Sequence, residues 1–165
     1  MPKKIKFEVF FEEYDDISKL PAESQILIDQ AVRATGNAHA AYSGFSVGAA
    51  LLLANGKTVI GANQENASFP NGLCAERVAL FAAASQFPSV AFKKLAITAT
   101  HQNQEHFPKT GPISPCGGCR QSLIEYQLLQ TEPIQIIMHG TDGKVVVAHS
   151  VDMLLPLRFS IKSMD

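Results

Sequence analysis

From Leu20-Pro21 onward, apolar residues recur at three- and four-residue steps. Ile26 or Leu27, Ala31, Ala34 and Ala38 follow a proline suited to a first helical turn. The spacing predicts a helix over 21–41. Before it, Ile5, Phe7, Val9 and Phe11 share one parity and Lys4, Lys6 and Glu8 the other, a loose alternation that fits a short strand. After it, Val47 to Ala54 is a continuous apolar run, followed by Asn55-Gly56 and then Lys57 to Ala62. Asn-Gly between two strand-like runs marks a buried β-hairpin.

The polar, turn-rich stretch 63–72 leads into a helix-forming run, Ala75 to Ala84. Lys94 to Thr100 reads as a strand and His101 to Ile113 as a polar loop. Ser114-Pro115 then supplies an N-cap and a first helical position for a helix reaching about Leu129. Ile134 to Met138, the turn Thr141-Asp142-Gly143 and Val145 to Ala148 make a second hairpin, and Val151 to Leu155 a short helix. No internal repeat, low-complexity tract or linker interrupts this order. The expectation is an α/β fold, a mixed sheet covered by helices on both faces.

Charge narrows the class of partner. Lys and Arg number 14 against 15 Asp and Glu, for a net charge of −1 over 165 residues. A chain so balanced lacks the broad basic field on which non-specific nucleic-acid binding depends. The longest apolar run is far short of the roughly 20 residues of a membrane span. Acidic residues from Glu8 to Asp16 break up any secretory apolar segment behind Met1-Pro-Lys-Lys, so the expectation is a cytoplasmic protein with neither nucleic-acid nor membrane partner.

Three cysteines, two of them in Cys116-Gly117-Gly118-Cys119, suit a thiol or metal site in a reducing compartment. Cys74 and Cys116 both fall at expected helix N-termini, where unpaired N–H groups and the helix dipole favour thiolates. Residues 116 and 119 share a helical face, whereas Cys74 and Glu76 would diverge on a regular helix. Cys74 is therefore expected at the helix edge, with Glu76 reaching back over a metal. Three sulfurs leave a tetrahedral zinc one open position for water, the mark of a catalytic site. The same three thiolates leave a formal charge of −1, which Arg77 and Arg120 are placed to offset by donating to the sulfurs. Other readings remain: a dithiol redox pair, a closed zinc site completed by His101 or His106, and surface ion pairs for the two arginines. His39, His139 and His149 read as histidines without a role in the chemistry.

Four motifs carry a resemblance. Phe45-Ser46-Val47-Gly48-Ala49-Ala50, Asn63-Gln64-Glu65-Asn66-Ala67, Cys74-Ala75-Glu76-Arg77 and Ser114-Pro115-Cys116-Gly117-Gly118-Cys119-Arg120-Gln121 resemble the small, tri-cysteine, homotetrameric cytidine deaminases. The resemblance spans about residues 25–160. It implies a three-layer α/β/α fold with a five-stranded sheet whose last two strands run antiparallel. It further implies one catalytic domain over 21–165, preceded by an extension at 1–20. One Zn²⁺ per subunit would lie on Cys74, Cys116 and Cys119, with Glu76 as the proton shuttle in the hydrolysis of cytidine and deoxycytidine to uridine and deoxyuridine. Asn63 and Glu65 match the pair that bonds the ribose hydroxyl, Phe45 an aromatic beside the base, and Ala75 a residue whose backbone reads the base edge. Phe69 and Phe159 match positions near a neighbouring subunit's site.

The tight hairpin at Thr141-Asp142-Gly143 forces antiparallel strands, unlike deaminases of RNA or DNA, and points to free nucleosides. A blasticidin-type deaminase shares the cysteines and this hairpin, but the Asn-x-Glu-Asn-Ala string favours cytidine. The long loop 101–113 and Gln64 depart from the family pattern.

Overall fold

Residues 2–103, 105 and 109–161 are described by the computed structural model of the chain. The strands are β1 (Glu12–Tyr14), β2 (Phe45–Leu53), β3 (Thr58–Ala62), β4 (Phe92–His101), β5 (Gln135–His139) and β6 (Val145–Ala148). The helices are α1 (Ala22–Ala34), α2 (Ala75–Gln86) and α3 (Gly117–Leu128). The sheet order is β1-β6-β5-β4-β2-β3. Only β4 and β5 pair in parallel, and β5 and β6 run antiparallel.

The apolar run in β2 is unbroken because helices cover both of its faces. Ala49, Leu51 and Leu53 pack with Ala75, Ala79, Leu80, Leu123 and Ile124 of α2 and α3. The alternate residues Ala50 and Leu52 pack with Leu27, Ile28 and Ala31 of α1. One strand thus serves two cores, which is the period of two expressed on a doubly covered sheet.

The sheet has six strands, not five. The short strand expected within residues 1–17 forms over Glu12–Tyr14 and not over the alternating residues 5–11; it pairs with the open edge of β6, in the register Glu12↔Val147 to Tyr14↔Val145. Residues 2–11 have no partner strand, and Ile5, Phe7, Val9, Phe10 and Phe11 stay exposed. The added strand carries Glu12 and Glu13, the charged character that keeps a sheet edge from pairing further.

Two helix boundaries also differ from expectation. The helix predicted over 21–41 ends at Ala34 and tightens into a 3-10 turn over Thr35–Asn37, where Gly36 and Asn37 stop it. The helix expected to begin at Ser114-Pro115 begins after Cys116. The Ser114 hydroxyl is taken by the Arg120 side chain and does not cap.

Glycine sets how closely helices lie on the sheet. A Cβ at Gly61 in β3 would sit 2.4 Å from the Ala75 carbonyl oxygen and 2.5 Å from the Ala79 nitrogen of α2. One at Gly48 in β2 would sit 2.0 Å from the Ala31 oxygen of α1. Gly61 therefore decides where the first turn of α2 rests. Gly61→Ala is expected to cost about 1–3 kcal/mol, the usual price of forcing extra volume into a packed core. A urea midpoint unchanged from wild type would refute that placement.

Candidate active site

The N-termini of α2 and α3 meet at one end of the sheet. Cys74 is the N-cap of α2, with extended backbone at φ −70° and ψ 152°, and Cys116 the N-cap of α3 at φ −65° and ψ 165°. Neither makes a side-chain cap bond, so both sulfurs are free to point away from their helices. Cys119 follows one turn into α3 and is fully buried. The Cys74 and Cys116 sulfurs are 3.8 Å apart, those of Cys116 and Cys119 3.4 Å, and all three lie within 4.8 Å of one another.

Zinc with sulfur ligands at about 2.3 Å in tetrahedral geometry needs sulfurs about 3.8 Å apart. The cluster fits. Among the described residues it contains cysteines alone: His101 instead accepts the Asn103 N–H on Nδ1, and His106 lies outside the described residues. His139 pairs with Thr98, and His149 with Gln135 and Glu12. Among the described residues the donor set is thus three thiols with no fourth ligand, Cys74 and Cys116 lining a cleft and Cys119 buried beside them.

Without metal the cluster shares protons unevenly. Cys74 is held down to about 5, first by the hydrogen bond from Cys119, then by Cys116 and Arg77, against the opposing pull of burial. Cys119 is pushed up by that same bond to Cys74, by its burial and by the charge of Glu76. Arg77 also reaches the Gly72 carbonyl, and its Nε is buried with no hydrogen-bond partner among the described residues. A buried guanidinium nitrogen beside charged sulfurs is the compensation that three thiolates on one dication call for.

Glu76 lies in the first turn of α2 and is only 5% exposed. Burial, and then the negative charge of Cys74, raise its carboxyl above the usual range, although its own backbone N–H and Cys119 bond to it. It stands outside the group of mutually close ligand atoms, so the geometry makes it a neighbour of the metal position and not a ligand.

The cleft has a volume of about 660 Å³. Cys74, Glu76 and Cys116 form its floor, and Phe45, Asn63, Glu65 and Phe69 belong to its walls. Asn63 extends the sheet: its Oδ1 accepts from Val47 N at 2.7 Å and its Nδ2 donates to Phe45 O at 2.9 Å. Glu65 accepts from the Ser43 hydroxyl at 2.5 Å and from the N–H groups of Tyr42 and Ser43 at 2.8 and 3.2 Å. These bonds hold its carboxyl below the usual range, Ser43 Oγ contributing most.

Three residues singled out along the chain lie outside the lining of this cleft. Ala75 is fully buried and does not line the cleft. Phe159 is 62% exposed and outside it, its carbonyl accepting from Gln121. Arg120 bonds Ser114, Pro115 and Leu154, and its hydrogen bonds go to oxygens instead of the sulfurs expected from its place in the chain.

Sequence reasoning passed over Tyr42, Ser43, Leu73 and Ile113, which also border the cleft. Tyr42 meets Phe69 edge-to-face, ring centres 5.8 Å apart at 81°. The signal available for Tyr42 and Ser43 was a polar aromatic pair placed just before Gly44, a residue with φ of +65° at the turn into β2.

A metal-ready three-thiol cluster with a buried acid beside it, in a cleft of an α/β/α domain, defines a zinc-site protein. Comparison with known proteins then places it. Residues 21–132 match the family model "Cytidine and deoxycytidylate deaminase zinc-binding region". The chain is 34% identical over 143 residues to a cytidine deaminase of Halalkalibacterium halodurans, covering 87% of this chain and 98% of that one. It is 40% identical over 111 residues to one from Sporosarcina psychrophila, covering 67% and 70%. The crystal structure of cytidine deaminase from Burkholderia pseudomallei superposes with a TM-score of 0.69 at 38% identity, over 81% of this chain and 97% of that one. The chain belongs to the cytidine and deoxycytidylate deaminase family, and its three cysteines fit one Zn²⁺ per subunit.

The purified protein is expected to hold one zinc per chain, and Cys116→Ser to hold little. Metal analysis checks this, as does counting thiols that react only after chelation. Full zinc occupancy in Cys116→Ser would refute the ligand set.

Proposed function

We propose that the chain hydrolyses cytidine and deoxycytidine to uridine and deoxyuridine with release of ammonia. The observation that carries the reading is a cluster of three sulfurs, two of them lining one cleft, with the buried carboxyl of Glu76 lining the same cleft beside them. Membership of the family supports it.

Bound zinc supplies the Lewis acidity that makes water nucleophilic at neutral pH. Glu76 does the proton work. It takes one proton from the attacking water as the C4–O bond forms and passes it to N3 of the ring. It then takes the remaining O–H proton and delivers it to the amino nitrogen, the C4–N bond breaks, and ammonia leaves while N3 keeps its proton. Burial suits Glu76 to this shuttle, because a carboxylate whose charged form is disfavoured takes up a proton readily and holds it until a ring or amino nitrogen accepts it.

The walls position the nucleoside. Phe45 packs beside the base, and Asn63 and Glu65 face the sugar. Their scaffold bonds leave room for this: a carboxylate offers about four acceptor sites, so Glu65 keeps one for a sugar hydroxyl after its three bonds to Tyr42 and Ser43. Residues 21–165 form the catalytic domain in this reading, and 1–20 an extension.

The catalytic assembly is a homotetramer in which Phe69 and Phe159 reach a neighbouring subunit's site. Their exposure, 74% and 62%, supports that reading, as do the exposed side chains of Leu157 and Ile161 beside Phe159. No helix among the described residues is long and apolar enough to cross a membrane, and three free thiols suit the reducing cytoplasm.

Loss of cytidine's ultraviolet absorbance is the direct assay, with blasticidin S as a second substrate. Glu76→Gln is expected to keep its zinc and lose about 10²–10⁴-fold in rate. Near-normal turnover by that variant would remove Glu76 from the proton path. Light scattering is expected to give four times the chain mass; a monomer turning over normally would refute the shared site.

A further inference from the structure

Arg120 stands next to Cys119 in the chain, yet its guanidinium turns away from the sulfurs. Nε donates to the Pro115 carbonyl at 2.8 Å, Nη1 to the Leu154 carbonyl at 3.0 Å and Nη2 to the Ser114 hydroxyl at 2.5 Å. Ser114 and Pro115 are the two residues that lead into Cys116, and Leu154 follows the 3-10 turn Val151–Met153 beyond β6. One side chain on the first turn of α3 therefore ties the approach to the Cys116 ligand to the C-terminal part of the chain.

The two ligand-bearing loops are held by different means. The approach to Cys74 is a backbone ladder, with Gln64 N donating to Leu73 O at 2.8 Å and Leu73 N to Gln64 O at 2.9 Å. On the approach to Cys116, a side-chain fork bonds two consecutive residues, and the planar geometry and reach of that fork belong to arginine alone. A lysine ammonium is a point donor that cannot span three oxygens held in different directions. Ser114 also borders the substrate cleft, so the same fork sets a wall of that cleft together with the metal ligand. Arg120 also lines a separate cavity of about 290 Å³ with Phe11, Ser114 and Leu154.

We propose that Arg120 is a positioning residue that holds Cys116 in its ligating pose and Ser114 on the cleft wall, by joining Ser114, Pro115 and Leu154 through one guanidinium. The proposal rests on the reading of the sulfur cluster as the zinc centre, and it does not depend on which nucleoside is the substrate.

The test is the rate at which zinc passes from the holoenzyme to a chromophoric chelator, for wild type, Arg120→Lys and Arg120→Met. Ser122→Ala serves as a control on the same helix; its hydroxyl bonds only the Gly118 carbonyl in the structure. Both Arg120 variants are expected to release zinc at least about tenfold faster, the lower end of what loss of a ligand's supporting contacts costs. Added zinc should restore kcat in these variants while KM stays raised, because the Ser114 wall is no longer held. Wild-type release rates, or lost activity that zinc does not restore, would overturn the proposal and leave Arg120 a packing residue. If Arg120→Met does not fold, Ser114→Ala removes a single arm of the fork; it should release zinc faster and raise KM, and unchanged values for both would overturn the proposal equally. A wild-type protein that holds zinc without turning over cytidine would defeat the proposed function and still leave the release rates to judge the fork.

Discussion

Three sulfurs can gather within 4.8 Å only because two helices begin at the same place, and everything else in the molecule serves that meeting. A helix N-terminus presents unpaired N–H groups and the positive end of the dipole to whatever is placed there. Cys74 and Cys116 occupy the N-cap position of their helices, and Cys119 adds the third sulfur one turn further on. The position of α2 is set by Gly61, where the absence of a side chain lets β3 come against the Ala75 and Ala79 backbone. The charge problem that three thiolates create is met locally by Arg77, whose guanidinium bonds Cys74. Arg120 acts at one remove, on the chain that delivers Cys116.

Glu76 gains its chemistry from the same construction. Placed in the first turn of α2, two residues beyond a ligand, it is largely buried yet still lines the cleft. Burial, more than any single neighbour, lifts its carboxyl toward the range where it can both accept and return a proton. A carboxylate at that position on an exposed helix would stay ionised and serve only as an acceptor.

The cleft walls show scaffold and recognition resting on the same atoms. Asn63 bridges Phe45 and Val47 as though it were another strand residue, and Glu65 closes the turn at Tyr42 and Ser43. A loop-stapling role and a sugar-binding role are therefore compatible for both residues. The staples fix where the remaining lone pairs point, which preorganises the site before a ligand arrives.

Much of this was legible along the chain, for a physical reason: it is written in short-range spacing. Alternation and unbroken apolar runs mark strands and their burial, Asn55-Gly56 and Thr141-Asp142-Gly143 mark hairpins, and Cys-x-x-Cys with Cys-x-Glu marks a metal-adjacent acid. Family motifs added which residues to watch. The remainder depends on partners distant in sequence. The pairing of Glu12–Tyr14 with β6 needed the open sheet edge that only the folded hairpin presents, so residues 5–11, with the better alternation, stayed unpaired. The helix α3 begins after Cys116 while the Ser114 hydroxyl accepts from Arg120, and one of the oxygens that Arg120 bonds is that of Leu154, 34 residues further along the chain. Ser43 gained a role through Glu65, 22 residues away. Sequence by itself determined which elements form and which atoms can bind metal or carry protons, since these follow from local geometry and side-chain chemistry. Tertiary structure alone decided which donor meets which acceptor, because that choice is made by long-range packing.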